Sequence, residues 1–379
     1  MKYKSIKKKF RFIKFLDLNF LIILFILFLI NLLLIHSSSG GLDIRFYCQL
    51  KNIILSFIFF LIILSIPINY IMKFSFYIYF ALLVLLLFVE IIGEEVNGSK
   101  RWLDLGVLLL QPSEIFKLSL PMLLSYIYGV KNNKNVNFRY IIILLLVAPI
   151  YLIIRQPDLG TAILVFASSI SVVYFNGITL NVLFFIFFLL IFIIFLIFHN
   201  REVLCLKNFN WIILHKYQKH RICTMFYPKI DPKGAGFHIK QSIIAIGSGG
   251  IIGKGYMQGN QTQLNFIPES TTDFIFAVYS EEFGFYGCVI LILIYLNIIV
   301  KGIIISIESK IFFGRLLSAS ISMMFLIYVF INIGMVIGIL PVVGIPLPFI
   351  SYGGTSMFTM CLSCGLLNNI KNHSKKTSF

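Results

Sequence analysis

Four polar clusters interrupt a chain that is otherwise strongly apolar. The first is Gln111-Pro112-Ser113-Glu114-Ile115-Phe116-Lys117. Pro112 suits a first helical turn. Glu114 and Lys117, three apart, share one helix face where they can pair, and the helix dipole favours an anion at Glu114. A structural ion pair that locks the helix accounts for the two residues as well as a site does. The second cluster is Arg155-Gln156-Pro157-Asp158-Leu159-Gly160-Thr161. Proline breaks the apolar run there, and Asp158 falls where a carboxylate caps the next helix; capping alone explains it.

The third cluster, Pro268-Glu269-Ser270-Thr271-Thr272-Asp273-Phe274-Ile275-Phe276, ends a long polar segment and begins an apolar run. Asp273 is either one more N-cap or a general base, because a carboxylate desolvated at an interface has its pKa raised towards the working pH. The fourth runs from Asn332-Ile333-Gly334 through Leu340-Pro341 to Pro346-Leu347-Pro348-Phe349-Ile350-Ser351-Tyr352-Gly353-Gly354. Irregular backbone at membrane depth is tolerated only when buried in protein or lining a wet cavity, so this stretch is a cavity wall or a simple return between helices.

Other patterns fail. Gly247-Ser248-Gly249-Gly250-Ile251-Ile252-Gly253-Lys254-Gly255 lacks the Ser/Thr that a P-loop carries after its lysine, and it does not fit G-x-G-x-x-G. No H-E-x-x-H or G-x-S-x-G occurs. The six histidines have no metal spacing, and Cys361-x-x-Cys364 has no second pair, so it reads as small packing residues. The six scattered cysteines give no redox context. Glu281 and Glu282 face either a cavity or an arginine.

The elements that must position these clusters follow from composition. Of 379 residues, 59% are hydrophobic and 12% charged, and mean hydropathy is +0.94. Soluble domains carry about 25% charged residues, and disorder needs low hydrophobicity; both are excluded, leaving a polytopic membrane protein. The net charge of +17 is concentrated in tails and short loops, which points to an anionic lipid surface and not to nucleic acid. Ten segments have the length and apolarity of spans: 18–36, 50–69, 73–93, 112–129, 139–155, 159–176, 179–199, 274–300, 317–339 and 349–369. The first is too long for a signal peptide core and lacks a cleavage site, so it is expected to stay uncleaved.

Ten spans put both termini on one side. With the termini inside, inner tails and short loops hold seventeen cations and outer short loops five, which makes both termini cytoplasmic. The expected organisation is a basic tail over 1–17, a membrane domain over 18–369 and a second tail over 370–379. The fold is all-α, with a large extracytoplasmic loop over 200–273 between helices 7 and 8. That loop is too long for a connector, and its aromatic residues predict short helices at the membrane surface. No soluble domain and no internal repeat emerge.

Together the polar clusters make the chain resemble the SEDS family (shape, elongation, division and sporulation), in its RodA branch. The resemblance covers nearly the whole chain. Its strongest stretches are Gly98–Gly106, Gln111–Lys117, Gln156–Thr161, Gly234–Gly255, Thr272–Ala277 and Asn332–Gly354. It implies a peptidoglycan glycosyltransferase of the bacterial cytoplasmic (inner) membrane that polymerises lipid II at its outer face, in cell elongation and rod-shape maintenance. The family's catalytic aspartate falls on Asp273, residues of its polar cavity fall on Glu114, Lys117 and Asp158, and its outer-loop Arg-Trp pair falls on Arg101 and Trp102. Ser351, in the last motif, is expected among the substrate contacts. The resemblance further implies a class B penicillin-binding protein and other elongation-complex membrane proteins as partners. It implies no obligatory cofactor, with a divalent cation (Mg or Mn) compatible with the pyrophosphate. One departure is His220 in Tyr217-Gln218-Lys219-His220-Arg221, where close relatives are expected to carry Gln. A flippase for the same lipid and a non-catalytic scaffold are the competing readings; clustering of the polar candidates at one face favours chemistry there over passage across the bilayer.

Overall fold

Aspartate caps, at Asp17, Asp43 and Asp158, set the start of three helices. In the computed structural model, residues 17–96, 99–104, 109–130, 136–177, 198–205, 216–227, 230–232, 234–267 and 269–376 are described, with isolated positions between 188 and 196. Helix α1 (Leu18–Ser38) starts at Asp17, whose carboxylate accepts from the Asn19 N–H. Helix α2 (Ile44–Ser65) starts at Asp43, well before the apolar run expected from residue 50. Helix α3 (Ile68–Ile92) follows Pro67. Next come α4 (Pro112–Val130), α5 (Val136–Arg155) and α6 (Leu159–Phe175), the last capped by Asp158. The short helices α7 (Arg201–Cys205), α8 (Lys216–Phe226), α9 (Ala235–Gly249) and α10 (Asn260–Gln263) occupy the long polar segment. The chain then runs through α11 (Ile275–Glu308), α12 (Phe312–Val336) and α13 (Gly354–Lys376).

Among the described residues five helices, α1, α2, α3, α11 and α12, are long and apolar enough to cross a membrane. Helix α4, expected as a span, is a buried hub among the described helices: it packs on α3, α6 and α12 and keeps Ser113, Glu114, Lys117, Ser119 and Ser125 away from solvent. A helix enclosed on every side can keep polar groups that a lipid-facing helix cannot. The segment 179–199, expected as the seventh span, lies largely outside the described residues, as does the tail before Asp17. Helix α13 continues to Lys376, so the stretch expected as a tail from 370 is helical through most of its length.

The all-α expectation needs one correction. The stretch 94–111 contains a small antiparallel sheet of β1 (Glu94–Val96), β2 (Ser99–Asp104) and β3 (Leu109–Leu110), with β2 central. Segments this close in sequence pair as hairpins.

Two apolar clusters make up the core. One is built from α1, α2, α9, α11, α12 and α13, the other from α3 to α6 with Leu316 of α12. Helix α12 also joins them by hydrogen bonds, from Ser320 to the Ser168 carbonyl (2.6 Å) and from Asn332 to the carbonyls of Asp273 and Ile345.

Helix α11 is broken at Gly284 (φ 63°, ψ −163°). The groups freed by the break pair with the 250–255 segment: the N–H groups of Lys254 and Gly255 donate to the carbonyls of Glu281 and Glu282, and those of Phe285 and Tyr286 donate to Gly250 and Ile251. A Cβ on Gly253 would lie 2.2 Å from the Glu282 carbonyl oxygen, so only glycine permits this approach. Glu281 pairs with a lysine and not with an arginine. Its carboxylate accepts from Lys254 Nζ (2.7 Å) and from the N–H groups of Gln261 and Thr262, and Glu282 accepts from the Ser37 hydroxyl. The two buried carboxylates fasten other parts of the chain to α11: Glu281 the 254–262 stretch, and Glu282 the Met257 N–H and the end of α1.

Candidate functional site

The N-terminal ends of four helices, α4, α6, α11 and α13, open onto one cavity of about 650 Å³. Each end brings the positive pole of its dipole. Arg101, Arg155 and Arg221 add three guanidinium groups to the walls, and Glu114, Asp158, Glu269 and Asp273 supply four carboxyls. Such a chamber suits a doubly charged phosphate ester beside a group that exchanges a proton.

Asp273 precedes α11 at the end of a turn whose backbone is held on three consecutive carbonyls. The Tyr352 N–H donates to Thr271 (2.9 Å), the Ser351 hydroxyl to Thr272 (2.7 Å), and Asn332 Nδ2 to Asp273 (3.1 Å). The proline- and glycine-rich stretch 341–353 is thus a brace as well as a cavity wall. Asp273 does not cap α11: its helix N-cap is Phe274, with no side-chain hydrogen bond. Burial pushes the Asp273 carboxyl up to about 6; Arg221 and Arg101 oppose the rise, and Glu269 and Asp158 add to it.

Asp158 does cap its helix, accepting from the Thr161 N–H (3.2 Å) and from Gln111 Nε2 (2.8 Å). Arg101 stands 3.8 Å from the same carboxylate and donates to the carbonyls of Gln156 (3.0 Å) and Pro157 (2.6 Å). Capping and cavity membership, which the sequence left as alternatives for Asp158, hold together. Arg101 spends much of its fork on fixing the Gln156–Asp158 junction. Trp102 lines the same wall.

Two expected site residues sit differently. Lys117, 1% exposed, lies behind Glu114, with its ammonium 2.5 Å from the Glu114 carboxylate and bonded to the Tyr328 hydroxyl. It does not reach the cavity wall, where Glu114 does. The desolvated ammonium is neutralised by its partner, so the pair is a buried unit with one polar face turned to the chamber. The Ser351 hydroxyl is likewise occupied, donating to Thr272 and accepting from the Leu347 N–H (2.7 Å).

Residues that the sequence did not single out complete the chamber. Arg221, from α8, donates to the Val342 carbonyl (3.0 Å) and enters beside Asp273. Both side chains rest against Gly344 (φ +79°), where a Cβ would lie 3.4 Å from Asp273 Oδ2 and 3.5 Å from Arg221 Nη1. The only sequence signal for Arg221 was its place next to His220, which pairs with Asp231 (3.1 Å). The sequence offered no signal for the disulfide between Cys205 and Cys223, which ties α7 to α8. Among the described residues no three His, Cys, Asp or Glu side chains gather as a metal-holding group.

The model of the FtsW/RodA/SpoVE cell cycle proteins matches residues 13–376. The peptidoglycan glycosyltransferase MrdB of Escherichia coli (strain K12) is 38% identical over 310 residues, 80% of this chain and 79% of that protein. The stage V sporulation protein E of Bacillus subtilis (strain 168) is 35% identical over 300 residues, 78% of this chain and 77% of its own. Among solved structures, a chain of a peptidoglycan synthase complex that coordinates polymerization and crosslinking superposes with a TM-score of 0.77 at 24% identity, over 94% of this chain and 98% of that one. The rod shape determining protein RodA of Thermus thermophilus does so with a TM-score of 0.69 at 22% identity, over 94% and 96%. At these identities the two structures speak for the fold.

Proposed function

The chain belongs to the FtsW/RodA/SpoVE family of cell cycle proteins, and from that membership we propose that it is a peptidoglycan glycosyltransferase that polymerises lipid II in rod-shape maintenance. The observation that carries the proposal is a carboxyl tuned to about 6, at Asp273, in a chamber ringed by arginines and helix N-termini. The name of the Escherichia coli relative, at 38% identity, supports the same activity.

The chain is a multi-pass membrane protein, and the proposed topology has ten spans with both termini cytoplasmic. The charge asymmetry supports it, and so does the Cys205–Cys223 disulfide, since such bonds persist in oxidising compartments. The chamber then opens at the outer face of the cytoplasmic membrane, where lipid II presents its pyrophosphate and sugars.

The donor MurNAc is α-linked to pyrophosphate and the product strand is β-1,4-linked, so the transfer inverts C1. A single displacement needs a base on the acceptor and no protein nucleophile, unlike the two steps of a retaining glycosidase. Asp273 takes the proton of the acceptor GlcNAc 4-hydroxyl as that oxygen attacks C1; the C1–oxygen bond to the lipid pyrophosphate breaks and its electrons leave with the phosphate. The pyrophosphate is a good leaving group, and Arg221, Arg155 and the helix N-termini offset its charge. Arg101 and Asp158 hold the junction of α5 and α6 in the wall, Trp102 offers a flat face to a sugar, and Glu114, backed by Lys117, faces the substrate. Ser351 fixes the backbone under Asp273. A divalent cation would add charge stabilisation at the pyrophosphate. A class B penicillin-binding protein that cross-links the strand, with other elongation-complex membrane proteins, is the proposed company.

Purified protein with lipid II in detergent tests the activity. Glycan polymer formed without any bilayer is the expected result. Absence of polymer, with lipid II still bound, would leave lipid flipping or scaffolding as the function.

A further inference from the structure

We propose that the Cys205–Cys223 disulfide is a positioning device for the reaction: it holds α8 so that Arg221 stands beside Asp273, and its reduction withdraws Arg221 and slows polymerisation. The proposal rests on the reading of Asp273 as general base.

Helix α8 has eleven residues and α7 five, lengths at which an isolated helix is marginal in water. Lys216, Lys219, His220 and Arg221 give α8 a polar first half, and an apolar contact lies at its far end, where Phe226 packs edge-on against Phe198 with ring centroids 4.9 Å apart. Its main neighbours are α7 and α9. Arg221 is nonetheless the α8 side chain that reaches the cavity, where it bonds the Val342 carbonyl and shares Gly344 as a neighbour with Asp273. An arginine on a helix this short needs an anchor close to it.

The disulfide is that anchor. Cys223 is buried, two residues beyond Arg221 on the same helix, and its bond to Cys205 closes a segment with a sequence separation of 18. A cross-link removes the freedom of the closed segment to wander. The rest of the local scaffold acts on the same turn: Thr224 Oγ1 lies 3.0 Å from the carbonyls of His220 and Arg221, and His220 pairs with Asp231, whose carboxylate also accepts from the Gly234 N–H ahead of α9. Of the four cysteines that remain free, Cys361 and Cys364 are buried in α13 and Cys48 and Cys288 lie in α2 and α11.

Reduction is balanced by a dithiol. It gives two electrons and two protons, the sulfur–sulfur bond breaks into two thiols, and the dithiol closes to its own disulfide. The groups that face Asp273 are Arg221 from α8, Glu269 from its own turn, Asp158 at the start of α6 and Arg101 from β2. Of these, Arg221 is the one that the disulfide holds.

The test compares pH–rate profiles of lipid II polymerisation for the purified protein before and after reduction with dithiothreitol, and for the Cys205→Ser/Cys223→Ser variant. With Arg221 withdrawn, the acid limb should move to higher pH, with a several-fold loss of rate at neutral pH, in both the reduced protein and the variant. Reoxidation of the reduced protein should restore both, which keeps the test valid if the variant folds poorly. A rate that falls with the limb unmoved would make the bond merely structural and overturn the proposal, as would no change at all, or free thiols at both cysteines before reduction. Failure of the underlying reading shows separately, as the lack of any limb near pH 6 in the oxidised protein.

Discussion

Asn332, in the middle of the bundle on α12, donates its amide to the main-chain carbonyl of Asp273 at 3.1 Å and to that of Ile345 at 2.7 Å. One buried side chain therefore joins the turn that presents the carboxyl to the irregular stretch that walls the cavity. Asn332→Ala would leave two buried carbonyls without this donor, a loss of about 1–3 kcal/mol. The expected result is a protein with a lower melting temperature in detergent and a lower kcat for polymerisation. An unchanged kcat would mean that the position of Asp273 does not depend on the brace.

The pH dependence has a definite sign. The Asp273 carboxyl is pushed up from an ordinary carboxylate's 3.8 to about 6 in the folded protein. Its ionisation therefore costs folding stability as pH rises through 6, while the base form that the reaction needs becomes populated over the same interval. Polymerisation should rise with pH through an apparent pKa near 6. Because Glu269 pushes this carboxyl up and Arg221 pulls it down, Glu269→Gln should move the limb to lower pH and Arg221→Gln to higher pH. Initial rates between pH 4.5 and 8 check all three.

Glu114 and Lys117 form a buried pair of which Glu114 alone lines the cavity. Lys117→Met strands a buried carboxylate and should cost about 3–5 kcal/mol. Glu114→Gln combined with Lys117→Met should recover most of that stability, measured by thermal unfolding, yet not the polymerisation rate. Recovery of both would reduce the pair to a structural lock.

Gly344 adopts φ +79° beside both Asp273 and Arg221. Gly344→Ala carries the left-handed penalty of about 1–2 kcal/mol and sets a methyl group between the two side chains. The protein should still fold, with a raised KM for lipid II. An unchanged KM would show that substrate does not approach through this gap.

Much of the site was legible because polar residues are costly in an apolar chain. The motifs around Glu114, Asp158 and Asp273 announce themselves, and all three reach one cavity. What stayed hidden depends on partners distant in sequence. Lys117 turns away from the cavity because Tyr328, more than two hundred residues later, receives its ammonium. Arg221 looked like one more cation of a solvated loop until α8 was folded against Val342. The Cys205–Cys223 bond joins cysteines that no spacing rule pairs, and the sheet at 94–111 arises from strands of two to six residues, too short for a periodicity to register.

If Asp273 is the base, Asp273→Asn should remove catalysis and leave the fold intact. The amide keeps the shape and one acceptor oxygen but cannot accept the proton, and the backbone ties from Asn332, Ser351 and Tyr352 do not involve the carboxyl. Polymerisation of lipid II by the purified variant is the measurement, with lipid II binding and thermal unfolding followed alongside. The account predicts a folded protein that binds lipid II and polymerises it about 10²–10⁴ times more slowly. A variant that polymerises within a few-fold of the unaltered protein would contradict it and move the search for the base to Asp158.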